Sequence, residues 1–291
     1  MIPADSRSAG GARAARWLVM GLLLAFSILA VLPFVWMICA SVKTPEDYYT
    51  HQFLPTGSGF LGIAWDRLTL NNFVRLFREQ PVARAILNSV MLSSVCSVLA
   101  TLCCAAGGYG LSKFEFPGRR LITNGILAAV VLPPVLVLGP AFESLYHLGL
   151  LDTYAGLILP TVAPAFGLYL FRQAMINSVP GEIIESARID GCGEVRIFFQ
   201  IVLPLVRPML GAFLIITFLA TWNNFLSPQI ILQNPERQPL SVAIFHLRGL
   251  YGADYGMIMA ATLISIAPVM ALFLYLQREF ISGLTSGAVK G

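Results

Sequence analysis

The residues that could carry chemistry are sparse, and their spacing excludes the common catalytic sites. The three lysines are Lys43, Lys113 and Lys290. None of them follows a glycine, so the chain has no GxxxxGK[ST] loop for nucleotide phosphates. The three histidines form no HExxH metal motif. Gly110-Leu111-Ser112 comes nearest to a serine nucleophile, but no long apolar run offers a histidine base for it. These absences exclude an ATPase of this kind and argue against an intramembrane protease.

The segments that must position any functional residue are six long runs without Asp, Glu, Lys or Arg. Hydrophobic residues make up 57% of the 291 residues and charged residues 12%, about half the charged fraction of an ordinary globular domain. A helix needs roughly 20 apolar residues to cross ~30 Å of hydrocarbon, and one charge at mid-membrane costs roughly 2.5–3.5 kcal/mol. The sequence therefore predicts an all-α integral membrane protein with six transmembrane helices. The uncharged runs are Leu18–Ala40, Ala85–Ser112, Leu121–Phe142, Thr153–Phe171, Pro208–Pro235 and Tyr255–Gln277.

The distribution of basic residues predicts the orientation of these helices. Twelve Lys and Arg lie in the loops on the side of the termini, against seven in the opposite loops. Cytoplasmic loops carry the excess of positive charge, so we expect both termini in the cytoplasm. The first apolar run is too long for a signal peptide, and we expect it to remain as an uncleaved helix.

The predicted organisation places a first helix ahead of a larger transmembrane domain. Residues 1–16 would be a cytoplasmic N-terminus, 17–40 the first helix, 41–84 an extracytoplasmic segment and 281–291 a cytoplasmic tail. Within 41–84, apolar residues from Leu70 to Phe77 recur at helical spacing. They predict a short amphipathic helix that lies either at the membrane interface or on the chain's own outer loops. The transmembrane domain, 85–280, would hold five helices at about 85–111, 121–142, 154–172, 205–227 and 256–277, with a cytoplasmic loop at 173–204.

The cores of the six predicted helices contain polar residues but no ionisable ones. Ion-coupled carriers and proton pumps place carboxylates or other titratable groups inside the membrane. A chain that lacks these groups and a nucleotide site must take its energy from a partner, or else act as a passive channel. The residues that we expect to line a path for a polar solute are Tyr169, Thr217, Asn223 and Asn224.

The cytoplasmic loop at 173–204 is too long for a simple connection and predicts a short surface helix. Asn177 or Ser178 can cap this helix, with Pro180 in its first turn. Gly191 and Gly193 are placed to end it. On a helical wheel, Ile183, Ile184, Ala187 and Gly191 lie within roughly 100° of one another and predict a small apolar face.

The same loop closely resembles the signature of a known family. It reads Glu185-Ser186-Ala187, three residues, Gly191, nine residues and then Ile201-Val202-Leu203-Pro204. This is similar to the Glu-Ala-Ala loop of permease subunits of binding-protein-dependent ABC importers, and Ser186 in place of the middle alanine is the only departure. The flanking Ala187-Arg188-Ile189-Asp190-Gly191 and the Leu32–Thr44 segment resemble the carbohydrate-uptake branch, in particular the shorter permease of maltose-type and glycerol-phosphate-type importers.

The resemblance implies a type I importer fold and a division of labour. The surface helix would dock on a cytoplasmic ATPase, with Glu185 paired to a basic group there. Ala187 and Gly191 would permit close approach, while Leu203 and Pro204 would turn the chain into the next helix. The residues implied in this coupling are Glu185, Ser186, Ala187, Asp190, Gly191, Ile201, Leu203 and Pro204.

The resemblance also implies the partners and location of the chain. It would form half of a heterodimeric pore with a second permease in a bacterial inner membrane, in contact with lipid. Two ATPase subunits would bind the ATP, an extracytoplasmic protein would deliver the sugar, and this chain would need no cofactor and bind no nucleic acid. Two alternatives remain: a permease for another solute, such as a sugar phosphate or an amino compound, and a stand-alone channel or structural membrane protein.

Overall fold

Every regular element in the described part of the chain is helical. A computed structural model describes residues 6–249 and 254–288. Short 3₁₀ turns lie at Phe60–Gly62, Trp65–Arg67, Leu159–Thr161 and Pro235–Arg237, and a π turn lies at Phe198–Val202. The α-helices are α1 (Ser6–Ser41), α2 (Pro45–Thr50), α3 (Asn71–Glu79), α4 (Val82–Lys113), α5 (Arg119–Val131), α6 (Pro134–His147), α7 (Tyr154–Ile158), α8 (Ala165–Ser178), α9 (Gly181–Ile189), α10 (Glu194–Ile197), α11 (Leu203–Leu205), α12 (Arg207–Trp222), α13 (Leu226–Ile231), α14 (Leu240–His246) and α15 (Tyr255–Ala288).

Four stretches within these ranges are long and apolar enough to cross a membrane unaided. They are Ala15–Ser41, Val82–Lys113, Tyr154–Ser178 and Tyr255–Tyr275. Two further pairs of helices, α5 with α6 and the 194–205 stretch with α12, pass the same test together but are sharply bent. The number of spans reaches the predicted six when each bent pair crosses once. The all-α membrane fold predicted from the uncharged runs is therefore confirmed.

The third predicted span is not the continuous helix that we expected over 121–142. α5 ends at Val131 and α6 begins at Pro134, and the two helices meet at an angle of 109°. Leu132 and Pro133 are both extended between them. The cause is the proline pair, because proline lacks the N–H of a helical hydrogen bond and pushes the preceding residue out of the helical region.

Other predicted boundaries shift for similar reasons. The span expected at 154–172 is broken into α7, a 3₁₀ turn and α8, which begins directly after Pro164 and continues to Ser178. The helix expected at 205–227 begins at Arg207 and ends at Trp222, and α13 is a separate helix. In contrast, α1 and α15 continue into the 1–16 and 281–291 segments that we expected to be tails; residues 1–5 and 289–291 lie outside the described residues.

The fold divides into two compact units, the first formed by Met1–Gln80 with Leu247–Ile264 and the second by Pro81–His246 with Ser265–Gly291. In the second unit, α4 packs along α8 and α12. Glycines permit the close approach: a Cβ at Gly167 would overlap the Phe213 ring and the Cys104 Sγ atom, and a Cβ at Gly108 would overlap Phe171. The core of this unit therefore depends on direct helix contact, as is common in membrane proteins.

The first unit is organised around polar groups rather than a large apolar core. Lys43 is buried and its Nζ atom donates to the carbonyl of His51 at 2.7 Å, and burial lowers the pKa of this lysine. Asn72 of α3 donates to the carbonyls of Ser41 and Lys43. α3 buries Asn72 and Leu76 against the chain itself and leaves other apolar residues exposed, and its location at a membrane interface stays a prediction. The exposed apolar residues are Leu70, Val74 and Phe77.

Candidate functional site

The predicted surface helix is present as α9, and local sequence accounts for both of its ends. Pro180, in an extended conformation, is the residue before the first helical turn, and Glu182 lies within that turn. At the other end Gly191 has a φ of 80°, its N–H donates to Arg188, and the Cys192 N–H donates to Ala187 at 2.9 Å. These two hydrogen bonds form a Schellman motif, which needs glycine or asparagine at the left-handed position. Gly191 therefore ends the helix as predicted.

The start of α9 differs from the prediction. Asn177 and Ser178 do not cap this helix, because both residues belong to the last turn of α8. Pro180 is the capping residue itself rather than part of the first turn, and it provides no side-chain hydrogen bond. α8 continues to Ser178, so only Val179 and Pro180 remain to link it to α9.

The apolar side of α9 is covered by the chain itself. Ile184 and Ala187 are buried in a core cluster with Met175, Val179 and Ile197. The small side chain of Ala187 lets α9 lie close to the chain's own core, and its role in the approach of an ATPase stays a prediction. The residues on the outer side are Ile183, Glu185, Ser186, Ile189, Asp190 and Gly191, all of which are exposed.

The exposed side of α9 presents carboxylates beside an apolar residue. Glu185 lies at the middle of α9 and Asp190 directly after its last residue, and Ile189 is 86% exposed between them. The Ser186 hydroxyl donates to the Glu182 carbonyl at 2.8 Å, so serine in place of alanine keeps its polar group within the helix. A small surface of this kind can bind a partner through one apolar contact and charge-assisted hydrogen bonds.

The second half of the signature lies deeper. Ile201 and Leu203 are half-buried and pack against the same core cluster, whereas Pro204 is exposed. The chain then bends at Val206, and the 194–205 stretch meets α12 at an angle of 83°. Apart from the buried Ala187, the signature residues thus divide into an exposed group at α9 and a group that connects α9 to α12.

A hydrogen-bonded link that the sequence did not predict joins α9 to α4. Glu194 accepts from the Arg188 Nε atom at 2.6 Å and from the Tyr109 hydroxyl at 2.8 Å. The Arg188 guanidinium carbon also lies 5.5 Å from the centroid of the Phe114 ring. The hydrogen bond to Glu194 raises the pKa of Arg188. Tyr109 is buried in α4, so these hydrogen bonds connect α9 to the helix that packs along α8 and α12.

The predicted path residues are not brought together. Asn224 lines a cavity of about 100 Å³ between α4, α6, α7 and α13, but Tyr169, Thr217 and Asn223 do not. Thr217 and Asn223 donate to carbonyls of their own helix, and the Tyr169 hydroxyl accepts from Gln173. Polar groups that do line the cavity were missed, because hydroxyl residues are common in apolar helices and give no distinctive pattern. They are Ser89, Ser93, Thr161, Thr221 and Ser227.

The cavity has room for water or for a small hydroxylated group. The Ser93 hydroxyl is buried without a hydrogen-bond partner among the described residues. A volume of this size holds a few water molecules, each of which needs polar partners. The cavity is mostly apolar in its lining, and its few polar side chains are the groups that such a molecule could reach.

At the other end of α4, contacts made by Asp152 and Asn88 hold the 232–240 loop against the bundle, and we call this set of contacts the clasp. Asp152 accepts from the backbone N–H groups of Gln233 and Asn234, each at 3.0 Å, and pairs with Arg237 at 2.9 Å. The hydrogen bond from Asn234, followed by that from Gln233, lowers the pKa of Asp152. Asn88 of α4 donates to the carbonyls of Glu236 and Gln238 and accepts from the Tyr154 hydroxyl. These contacts fix the loop beside the cavity.

The chain matches a known family and is similar in sequence to two permeases. Residues 97–283 match the family described as the binding-protein-dependent transport system inner membrane component. The arabinooligosaccharides transport system permease of Halalkalibacterium halodurans is 37% identical over 225 residues, which cover 77% of this chain and 80% of the relative. The diacetylchitobiose uptake system permease of Streptomyces coelicolor is 32% identical over 273 residues, which cover 92% and 87%.

Solved structures share the fold at lower identity. A bacterial ABC transporter involved in the import of the acidic polysaccharide alginate contains a chain with a TM-score of 0.78 and 20% identity. The match covers 96% of this chain and 100% of that chain.

Proposed function

The chain belongs to the family of binding-protein-dependent transport system inner membrane components, and from this premise we propose which solute it carries and how it is driven. Members of this family are permease subunits of ABC importers. The chain is accordingly a transmembrane subunit and not an enzyme, and ATP is hydrolysed by a partner. We propose below which solute this chain carries, which residues bind the ATPase and which side of the membrane α9 faces.

The proposed solute is a carbohydrate, and an oligosaccharide in particular. The relatives named above are permeases for arabinooligosaccharides and diacetylchitobiose. Sugars are neutral and rich in hydroxyl groups, so a path for them needs hydrogen-bonding groups rather than a charge. Hydroxyl and amide groups form part of the lining of the internal cavity, which is otherwise apolar, and none of the residues that line it is charged. Tyr169, Thr217, Asn223 and Asn224 remain our candidates for contact with solute.

We propose that the ATPase acts on this chain at the exposed side of α9. The exposure of this side is the observation that supports the mechanism. Glu185 and Asp190 would bind basic groups of the ATPase, while Ile189 would fill an apolar depression there. Gly191 ends the helix so that Asp190 stays at its tip. Closure of the ATPase would then displace α9 and, through Glu194 and Tyr109, the central helix α4. Ile201, Leu203 and Pro204 would carry the same movement into α12.

The proposed assembly follows from this division of labour. This chain would pair with a second permease, two ATPase subunits would bind at α9 and its counterpart, and an extracytoplasmic binding protein would deliver the sugar. We propose that both termini and α9 face the cytoplasm. The chain itself would need no cofactor.

Reconstitution of the complete importer tests this function. Proteoliposomes containing this chain, the second permease and the ATPase would be supplied with the binding protein and labelled arabinooligosaccharide. We expect uptake that requires ATP and is not competed by amino acids or glycerol phosphate. Uptake by this chain alone down a gradient, with no ATPase associated, would show that it is a channel and that the proposal is wrong.

The role of α9 can be tested in the same vesicles. Removal of one charge-assisted contact by Glu185→Ala is expected to reduce uptake about ten-fold, which corresponds to about 1.4 kcal/mol. Glu182→Ala is the matched control, since it removes an exposed carboxylate from the same helix outside the signature. Equal uptake by both variants would remove Glu185 from the docking surface.

A further inference from the structure

A basic pocket between α5 and α8 has no role in the proposed coupling or in the solute path. Its volume is about 880 Å³, and its lining includes Arg119, Arg120, Asn124 and Arg172 together with one carboxylate, Glu115. Arginine outnumbers acid by three to one in this lining. The pocket therefore has the charge of an anion site.

Arg172 provides the clearest sign that a ligand is needed. This residue lies in α8 and is half-buried, and its Nε atom is buried without a hydrogen-bond partner among the described residues. A buried guanidinium N–H that lacks a partner costs free energy. Arg119 is already engaged, because its Nε and Nη2 atoms donate to the carbonyls of Leu111 and Ser112 at the end of α4. Arg172 and Arg120 are thus the groups that face the pocket with donors to offer.

The backbone of α5 adds donors to the same pocket. The first intrahelical hydrogen bond runs from the Ile122 N–H to the Gly118 carbonyl. The N–H groups of Arg120 and Leu121 precede it and point beyond the helix start. Helix starts of this kind favour anions, and together with the guanidinium groups they form a phosphate-binding arrangement.

The depth of the pocket indicates where the phosphate comes from. Arg172 lies six residues before the end of the Tyr154–Ser178 span, about 9 Å along the helix. In a helix that ends at the membrane surface, a residue at this depth lies where the lipid headgroups meet the hydrocarbon. Next to the pocket, α5 exposes apolar side chains on several sides, among them Leu121, which is 78% exposed, Ile122 and Leu127. A charged pocket beside an exposed apolar helix matches the two parts of a phospholipid.

We propose that this pocket binds the phosphate of an anionic phospholipid, with Arg120 and Arg172 as its ligands and the acyl chains lying along α5. Basic pockets between transmembrane helices are suited to such headgroups. The inference needs only that the chain spans a membrane, and it does not depend on the solute or on the docking surface of α9.

Lipid retention by the purified complete importer tests the proposal. The complex would be assembled in discs of phosphatidylcholine mixed with phosphatidylglycerol, extracted, and its bound lipid measured by native mass spectrometry. We expect enrichment of phosphatidylglycerol in the unmodified complex. Arg172→Gln should reduce the enrichment about ten-fold, and Arg172→Lys should reduce it less because it keeps the charge. Arg120→Gln should also reduce it, and because this residue is exposed the variant does not disturb the core.

The control and the alternative occupants are distinguished in the same experiment. Arg196→Gln, which removes an exposed arginine outside the pocket, should leave the enrichment unchanged. Unchanged enrichment in both pocket variants would overturn the proposal. A second measurement is the unfolding temperature of the complex in phosphatidylcholine discs. If inorganic phosphate raised this temperature as much as phosphatidylglycerol does, the ligand would be a soluble phosphate and the proposal would also be overturned. Release of the second permease by Arg172→Gln without loss of lipid would identify a protein carboxylate instead.

Discussion

Gly191 combines a structural requirement with a place on the proposed docking surface. Its φ of 80° lies in the left-handed region, but a Cβ built there would meet nothing within 4 Å. The cost of replacement is therefore conformational rather than steric, about 1–2 kcal/mol for an ordinary residue. We expect Gly191→Val to move Asp190 and reduce uptake relative to ATP hydrolysis, whereas Gly191→Asn should preserve it because asparagine tolerates this conformation.

The comparison of these two variants separates backbone conformation from surface contact. Both add a side chain at the same exposed position, so a clash with the ATPase would impair both. Uptake and ATP hydrolysis would be measured in the same proteoliposomes. Equal coupling in the valine variant and the unmodified protein would show that the geometry of this helix end is not required.

Tyr109 tests the link between α9 and α4. Tyr109→Phe removes the hydroxyl that donates to Glu194 but keeps the aromatic contacts with Phe114 and Phe198. Hydrogen bonds to charged groups contribute about 1.5–3 kcal/mol. We expect ATP hydrolysis to continue while the sugar carried per ATP falls several-fold. Tyr146→Phe, at an exposed position, is the matched control, and an unaltered ratio in Tyr109→Phe would exclude transmission through this hydroxyl.

At the scale of elements, the contact of α8 with α4 and α12 depends on Gly167. The Cβ of Gly167→Ala would overlap the Phe213 ring and Cys104. Because a packed interior resists an added methyl group, we expect a loss of about 1–3 kcal/mol in stability. Thermal unfolding in detergent measures this loss. Gly125→Ala, where a Cβ meets nothing within 4 Å, should not lower the unfolding temperature, and equal unfolding temperatures for the two variants would contradict close packing at Gly167.

The clasp on the 232–240 loop should weaken in acid. Hydrogen bonds from Asn234 and Gln233 lower the pKa of Asp152. A carboxylate whose pKa is depressed by folding stabilises the fold above its unfolded pKa and loses that effect as pH falls through the lowered value. The protection of the loop amides against hydrogen exchange, corrected for the intrinsic pH dependence of the exchange rate, should therefore fall at low pH. In Asp152→Asn this pH dependence should disappear, and its persistence would assign it to another group.

The membrane-spanning helices were easier to predict from the sequence than the breaks within them. Six uncharged runs sufficed to predict the spans, because a membrane excludes charge from each of them. The Pro133-Pro134 pair could have been read as a break, since proline removes a helical donor. The end of α12 at Trp222 carries no comparable signal, because the breaking residues there are neither proline nor glycine.

The candidate site was predictable where it rests on local rules. Gly191 was expected to end α9, and its Schellman motif involves only residues 187–192. The wheel placed four residues on one apolar face of α9, but only Ile184 and Ala187 are buried, whereas Ile183 and Gly191 are exposed, because the core that covers the helix comes from distant parts of the chain. Tyr109 and Glu194 are 85 residues apart in sequence, and a single tyrosine in an apolar helix gives no indication of such a contact.

At the scale of the whole molecule, α4 separates two functional ends. Asn88 holds the clasp and Tyr109 contacts the α9 region, 21 residues further along the same helix. At 1.5 Å per residue they are about 32 Å apart, close to the thickness of the hydrocarbon core. The clasp and α9 should therefore lie on opposite sides of the membrane.

Labelling of single cysteines in intact cells tests this arrangement and its direction. In a background without the five native cysteines, Gln233→Cys would report on the clasp and Ser186→Cys on α9, both exposed positions. A membrane-impermeant maleimide should label Gln233→Cys from outside, and Ser186→Cys only after the membrane is opened, because the excess of basic residues lies on the side of α9. Labelling of both from outside would contradict the separation of the two ends by α4. The reverse pattern would keep that separation but place α9 beyond the reach of a cytoplasmic ATPase, and the proposed coupling would then be impossible.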